Sequence, residues 1–226
     1  MIEIDVLVIG AGPSGCVSAS ILNKNGLKVR VVEKERFPRF VIGESLLPRC
    51  MEALDEAGLL EAMKSKGFQE KFGAKFMRGD AVCDFSFADH FTKGWTWTWQ
   101  VPRADFDHAL ALEVQNKGVP VDFQHTVTDI AFHDDYSLTT IKDPEGKKHQ
   151  IKARFIIDSS GYGRVIPKLL NLDRPSDLPS RQTYFAHMTD ANRLDISEPN
   201  RITIVFVKPG VWAWMIPFSN GHTSLG

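Results

Sequence analysis

An apolar run, Ile4-Asp5-Val6-Leu7-Val8-Ile9, leads directly into Gly10-Ala11-Gly12-Pro13-Ser14-Gly15, and the acidic Glu33 closes the next apolar run, Lys28-Val29-Arg30-Val31-Val32. Strand, glycine turn, helix, strand and acid in this order define a right-handed crossover in a parallel sheet, with a dinucleotide as the expected ligand. The three glycines have separate tasks. One makes a turn too tight for a side chain, one lets backbone approach a pyrophosphate, and one lets the helix pack closely on the strand. Pro13 suits the first helical turn, where its missing N–H costs nothing. The free N–H groups and positive dipole end of that helix attract the pyrophosphate. Glu33 can accept hydrogen bonds from ribose hydroxyls and would repel a 2′-phosphate, which disfavours NADP. FAD and NAD share this fingerprint, so both remain open at this stage.

Composition narrows the class. The 226 residues are 43% hydrophobic and 24% charged, enough to bury a core in one or two domains. A net charge of −1 leaves no electrostatic footprint for nucleic acid or an anionic membrane. Cys16, Cys50 and Cys83 are odd in number and lack metal-ligand spacing, so no metal site is expected and a reduced, cytoplasmic setting is the simplest reading. Cys16 is expected to pack as a small apolar residue behind the glycine turn. No apolar run approaches a membrane span, and the first strand begins before a signal peptide would fit.

Along the chain, strands are expected at residues 4–9 and 28–33 around a helix at 13–25, with a loop from Lys34 to Gly43. Ser45 is placed to cap a helix reaching Ala57. Residues 70–78, 82–87 and 95–101 have strand character, with Trp95, Trp97 and Trp99 alternating onto one face. Phe106, Leu110 and Val114 recur at helical spacing before Gly118. Strands at 119–123, 126–133, 136–142 and 148–157 follow, then a turn at Asp158-Ser159-Ser160-Gly161-Tyr162-Gly163 and a short helix to Leu170. Residues 171–180 read as a linker and 181–226 as a meander of strands. The chain stops inside an expected strand, as a fragment would.

Five segments in order resemble the flavin-dependent halogenases acting on phenols and pyrroles, within the FAD-dependent monooxygenase superfamily. They are the N-terminal fingerprint, Phe37-Pro38-Arg39-Phe40-Val41-Ile42-Gly43-Glu44-Ser45-Leu46-Leu47-Pro48, Val101-Pro102-Arg103-Ala104-Asp105-Phe106-Asp107, Asp158-Ser159-Ser160-Gly161-Tyr162-Gly163-Arg164 and Trp212-Ala213-Trp214-Met215-Ile216-Pro217. The resemblance implies an α/β fold: a Rossmann-like three-layer FAD-binding domain at 1–70 and 103–172, and a β-rich substrate domain at 71–102 and 173–226, truncated at its C-terminal end. It implies FAD as cofactor. Gly10, Gly12, Pro13, Ser14, Gly15, Glu33 and Lys34 would hold its ADP half, Arg103 would reach the phosphates, and Val127 would offer a backbone contact to adenine. Asp158 and Gly161 would begin a second flavin turn, and Gly43, Glu44 and Ser45 would lie near the isoalloxazine.

The resemblance also assigns chemistry. Lys71 matches the lysine that receives hypohalous acid and directs halogen onto an electron-rich aromatic, free or carrier-bound. Reduced flavin from a separate reductase, O₂ and halide would be the other participants. If 71–76 is one strand, Lys71, Gly73 and Lys75 share a face, and the competing reading is a pair of solvated edge lysines. Trp212, Trp214, Ile216 and Pro217 would wall flavin from substrate, or else pack as core aromatics. An oxidoreductase lacking halogenase activity, and a catalytically incomplete FAD-binding fragment, are the alternative functions.

Overall fold

Branched and apolar residues dominate β1 (Ile2–Ile9), and Val6, Leu7, Val8 and Ile9 are all buried, as a strand covered on both faces requires. The computed structural model describes residues 1–191, 193 and 198–226; residues 192 and 194–197 of the expected strand meander lie outside the described residues. After β1 come α1 (Pro13–Lys24), β2 (Val29–Glu33), α2 (Arg49–Glu56), α3 (Leu60–Lys64), β3 (Gln69–Lys71), β4 (Gly73–Arg78), β5 (Ala81–Ser86) and β6 (Thr98–Gln100). Next are α4 (Arg103–Asn116), β7 (Val121–Phe123), β8 (Thr126–Phe132), β9 (Ser137–Lys142), β10 (Lys148–Asp158) and α5 (Val165–Leu169). The strands β11 (Ala186–Thr189), β12 (Ile202–Lys208), β13 (Val211–Pro217) and β14 (His222–Leu225) complete the order.

The chain divides into two compact units. The first comprises Met1–Val41, Leu54–Ala62 and Ala104–Asp177; the second comprises Ile42–Ala53, Met63–Arg103 and Leu178–Gly226. Residues 42–53 and 63–70 thus fall in the second unit.

In the first unit a six-stranded sheet runs β7-β2-β1-β10-β9-β8. The β7, β2, β1 and β10 strands are parallel, and β9 and β8 add antiparallel at one edge. Helix α1 turns Gly15, Cys16, Ala19 and Ser20 inward, a stripe of small side chains that lets its axis lie close to the sheet. Leu7, Ile9, Val32, Ile130, Ile141 and Ile151 form the centre of the core, with Val165, Ile166 and Leu169 of α5 packed against them. In α4, Phe106, Leu110 and Val114 are buried as the helical spacing predicts.

The second unit is built on another six-stranded sheet, β11-β14-β13-β12-β4-β5, in which only the β12–β4 pairing is parallel. Ala74, Ile202, Ile216 and Phe218 form its core. A two-stranded ladder, β3–β6, is extended by Ser45, which bridges Gln100 in the antiparallel sense.

Three local expectations are corrected. Ser45 caps no helix, because Glu44 and Leu46 pair with Val101 and Trp99 along that ladder and α2 begins only at Arg49. The strand expected at 95–101 contracts to Thr98–Gln100, since its partner β3 offers only three residues; Trp95 and Trp97 precede it, with edge-to-face ring contacts of 5.8 Å between Trp95 and Trp97 and 5.2 Å between Trp97 and Trp99. Lys71 and Lys75 do not share a strand, because β3 ends at Lys71 and β4, starting at Gly73, belongs to a different sheet.

Leu7 is fully buried at the centre of the first sheet. Leu7→Ala is expected to lower unfolding free energy by about 2–5 kcal/mol in urea denaturation, the cost of a core cavity.

Candidate functional site

The glycine turn shows its three tasks in the geometry. Gly10 has φ +100°, and a Cβ there would lie 2.6 Å from the Ser159 carbonyl oxygen. A Cβ on Gly15 would fall 1.9 Å from the Gly10 carbonyl oxygen, so helix α1 seats on the turn only because position 15 lacks one. Gly12 is different. Its φ of −72° suits any residue, and a Cβ would meet nothing in the chain closer than 3.7 Å. Neither the backbone nor internal packing demands glycine at 12, which leaves close approach by a ligand as the physical reason for it.

Gly12 is also the N-cap of α1. No side chain caps the helix, Pro13 opens it, and no acidic residue lies in its first turn. The leading N–H groups therefore present unneutralised positive charge, which fits the diphosphate of FAD. Beside them, Ser14 Oγ and Ser159 Oγ stand 3.5 Å apart and link the first turn to the second. Cys16 donates to the Ala11 carbonyl, and burial pushes its thiol well above the ordinary range, so it packs as an inert small residue.

Glu33 is buried at the end of β2. Its Oε2 accepts from the Ala11 N–H at 2.8 Å and its Oε1 from the Glu35 N–H at 2.9 Å. Each carboxylate oxygen keeps acceptor capacity for a ribose hydroxyl. Lys34 points to the surface, 3.4 Å from Glu35. The Val127 side chain belongs to the hydrophobic core, leaving only its backbone for a ligand. Asp158 builds the second turn: Oδ1 accepts from Ser160 N–H at 3.0 Å and Oδ2 from Ile166 N–H at 2.8 Å, with Gly161 at φ +55° between them.

Sequence reasoning missed Arg39 as a site residue. Its Nη2 stands 3.7 Å from where a Gly12 Cβ would be, its Nη1 donates to the buried Asp107 at 2.9 Å, and the guanidinium lies 4.5 Å over the Phe37 ring. The only available signal was its position in the segment after β2. The pairing with Asp107 spans 68 residues and leaves no periodic trace.

In the second unit, the segment after Gly43 is held from several sides. Arg103 Nη1 donates to the Ile42 and Gly43 carbonyls at 3.0 and 3.2 Å. Glu44 is almost fully buried, and its Oε1 lies 2.5 Å from His187 Nε2 on β11. The Leu46 carbonyl accepts from Lys71 Nζ at 2.9 Å.

Lys71 is therefore no solvated edge residue. Only 4% of it is exposed, its ammonium sits 5.2 Å above the Phe87 ring, and burial pushes its pKa down to about 8, partly opposed by nearby Cys50. A lysine in this state holds a substantial neutral-amine fraction just above neutral pH, which is what an electrophile acceptor needs. Lys75, by contrast, is paired with Asp84 at 3.5 Å.

Along β13, exposure falls from Trp212 at 49% to Ile216 at 7%. The Trp212 and Trp214 rings are 5.7 Å apart, Trp214 Nε1 donates to Ser224 Oγ, and Ile216 is in the core. Core packing thus accounts for the inner end of this stripe. Pro217 contributes its carbonyl to Gln100. Trp95 and Trp97 line an open hollow of about 420 Å³ with Arg49 and Glu52, whereas Trp99 is buried. No cluster of three or more His, Cys, Asp or Glu placed for a metal ion occurs among the described residues.

A largely parallel sheet with an anion-ready glycine turn and an acid at the end of β2 defines a dinucleotide-binding fold. Residues 3–223 match the family described as FAD binding domain, and the chain belongs to that family. A 1H-pyrrole-2-carbonyl-(peptidyl-carrier protein) brominase of Pseudoalteromonas luteoviolacea is 33% identical over 98% of this chain and 54% of its own length. Among solved structures, a flavoprotein/dehydrogenase from Cytophaga hutchinsonii superimposes with a TM-score of 0.95 at 60% identity, covering 99% of this chain and 55% of that one. The myxobacterial chondrochloren halogenase, an FAD-dependent enzyme, gives a TM-score of 0.84 at 30% identity over 100% of this chain and 52% of its own. The chain spans about half the length of the curated relatives it matches.

Two substitutions separate packing from ligand approach. Gly15→Ala is expected to destabilise the fold by about 1–3 kcal/mol or more through overlap with the Gly10 carbonyl. Gly12→Ala is expected to stay within about 1 kcal/mol of the parent while raising the FAD dissociation constant roughly tenfold or more, read by thermal melting and fluorescence titration. For Lys71, the protonated amine is unreactive and the neutral one reacts. Labelling by an amine reagent should therefore reach half its maximum near pH 8, against about 10.4 for solvated lysines, as measured by peptide mass spectrometry across a pH series.

Proposed function

We propose that the whole protein is a flavin-dependent halogenase that uses reduced FAD, O₂ and halide to halogenate an electron-rich aromatic, with Lys71 as the catalytic residue. The buried Lys71 amine carries this reading. A surface lysine would remain fully protonated at working pH, whereas desolvation brings Lys71 into the range where it can hydrogen-bond to or trap an electrophilic halogen.

The remaining residues serve binding and orientation. FAD, when bound, supplies the oxygen chemistry. The α1 N-terminus and the Arg39 guanidinium meet its diphosphate, with Asp107 holding Arg39 in place. Glu33 accepts from the ribose hydroxyls. Gly43, Glu44 and Ser45, which the family resemblance assigns to the flavin ring, lie in a segment that Arg103 shapes through its two carbonyl contacts. Phe87 and the Leu46 carbonyl keep the Lys71 amine in place and away from bulk water.

The substrate class is an aromatic, free or carrier-bound, a reading supported by the carrier-bound pyrrole in the name of the 33% identical brominase. A separate flavin reductase delivers reduced FAD. Three free cysteines accord with a cytoplasmic setting, and no helix among the described residues is long and apolar enough to cross a membrane. A second reading, an FAD-dependent oxidoreductase without halogenation, is favoured by the relative of 60% identity, whose name is flavoprotein/dehydrogenase. In that case Lys71 has a structural role.

Turnover of the whole protein with FAD, a flavin reductase, O₂ and a phenol or pyrrole, with and without chloride or bromide, decides between them by product mass. The expected result is a halide-dependent mass shift that falls by about 100-fold or more in Lys71→Ala while FAD remains bound. Hydroxylation indifferent to halide, equal in both proteins, would establish the second reading.

A further inference from the structure

Exposed apolar side chains gather at one end of the second sheet: Val82 is 56% exposed, Phe206 45% and Val207 63%. Contiguous apolar surface of this kind marks a place of binding.

The ladders explain why this end stays open. Strand β4 pairs with β12 from Ala74–Ile202 to Met77–Val205 and no further. Just beyond, the β12–β13 register shifts between Phe206 and Lys208, and a bulge of this kind bends its strand. Two-residue turns, Gly79-Asp80 after β4 and Pro209-Gly210 after β12, close the hairpins without a loop long enough to fill the space between them. The β4–β5 and β12–β13 tips therefore part around an open cleft of about 800 Å³.

Its lining combines aromatic carbon with positive charge. Phe76, Cys83 and Phe206 line it, and the Phe76 ring lies nearly parallel to those of Phe206 and Phe85, with centroids 6.3 and 6.0 Å apart. Arg78 and Lys208 supply the charge, one from each tip, and among the described residues no carboxylate lines the cleft. Arg181 donates to the Gly210 carbonyl at 2.7 Å, which brings a third cation to the same turn. The complement of such a surface is an aromatic anion. A neutral ring would forgo the cations, and an aliphatic acid would forgo the ring and sulfur contacts.

The cleft is separate from the Lys71 centre. Strand β4 starts two residues after Lys71, and the cleft lies at its far end, a strand length of about 20 Å for six residues.

We propose that the cleft between the β4–β5 and β12–β13 tips binds a small aromatic carboxylate, its ring against Phe76 and Phe206 and its carboxylate shared by Arg78 and Lys208. The site goes beyond the halogenase reading and does not depend on it. A bound anion clamps together two tips that the ladder leaves unjoined.

The probe is 2-naphthoate, with 2-naphthalenemethanol as its neutral counterpart. Cys83 is exposed and lies in the cleft, so its alkylation by iodoacetamide in the whole protein, mapped by peptide mass, reads occupancy, with Cys50 as the reference thiol. At ten times the half-protecting concentration of 2-naphthoate, Cys83 should react roughly tenfold more slowly and Cys50 at its original rate. Arg78→Gln and Lys208→Gln should each raise the half-protecting concentration about threefold, and about tenfold together, to the value for the alcohol on the parent. Failure of 2-naphthoate to protect Cys83, equal slowing of Cys50, equal protection by the alcohol, or protection unchanged in the doubly substituted protein would each overturn the proposal. A Cys83 that reacts only after unfolding in urea would also overturn it, because the rest of the whole protein would then cover the cleft.

Discussion

Contact between the Gly15 Cα and the Gly10 carbonyl brings helix α1 down onto the end of β1, and the surrounding architecture depends on that closeness. With a methyl at 15 the overlap at 1.9 Å would lift the helix, and its small inward residues, Cys16, Ala19 and Ser20, would leave a gap over the sheet. The second turn depends on the same place, because the Ser159 carbonyl lies against the Cα of Gly10. Asp158 then uses both oxygens to fix the 158–166 backbone. Two turns from distant parts of the chain are thus locked together by the absence of two side chains.

A contrasting principle governs the second unit. There the informative groups are polar atoms that have been desolvated: Lys71, Glu44, Gln100 and Ser45 all occur along one short ladder. Burying such groups costs stability unless each finds a partner. Among the described residues Glu44 has His187 for one oxygen, and Lys71 has a carbonyl and an aromatic face. Concentrating that cost in three adjacent strand segments supports the catalytic role proposed for Lys71.

Much of the first unit was legible in the sequence because its determinants are local. The run into the glycine turn, the spacing of Phe106, Leu110 and Val114, and the alternation through residues 126–157 are patterns within single elements. The site was legible only in part. Burial of Lys71 depends on Leu46, 25 residues away; the Glu44–His187 contact spans 143 residues and the Arg39–Asp107 pair spans 68. Such contacts follow from tertiary placement, which periodicity does not carry. The tryptophans at 95, 97 and 99 illustrate the opposite error: their alternation suggested a seven-residue strand, but a strand extends only as far as its partner does, and β3 is three residues long.

Glu33 joins two properties usually treated as separable. A carboxylate facing the ribose, as proposed for Glu33, would repel a 2′-phosphate, and its two oxygens brace the Ala11 and Glu35 N–H groups on either side. On the proposed reading, cofactor preference and turn geometry depend on one side chain. An attempt to redirect this protein toward a phosphorylated ribose by replacing Glu33 alone would remove a support of the diphosphate loop in the same stroke. If Glu33 faces the ribose as proposed, that end of the site can be redesigned only together with the glycine turn that Glu33 braces, which makes this corner of the fold resistant to stepwise change.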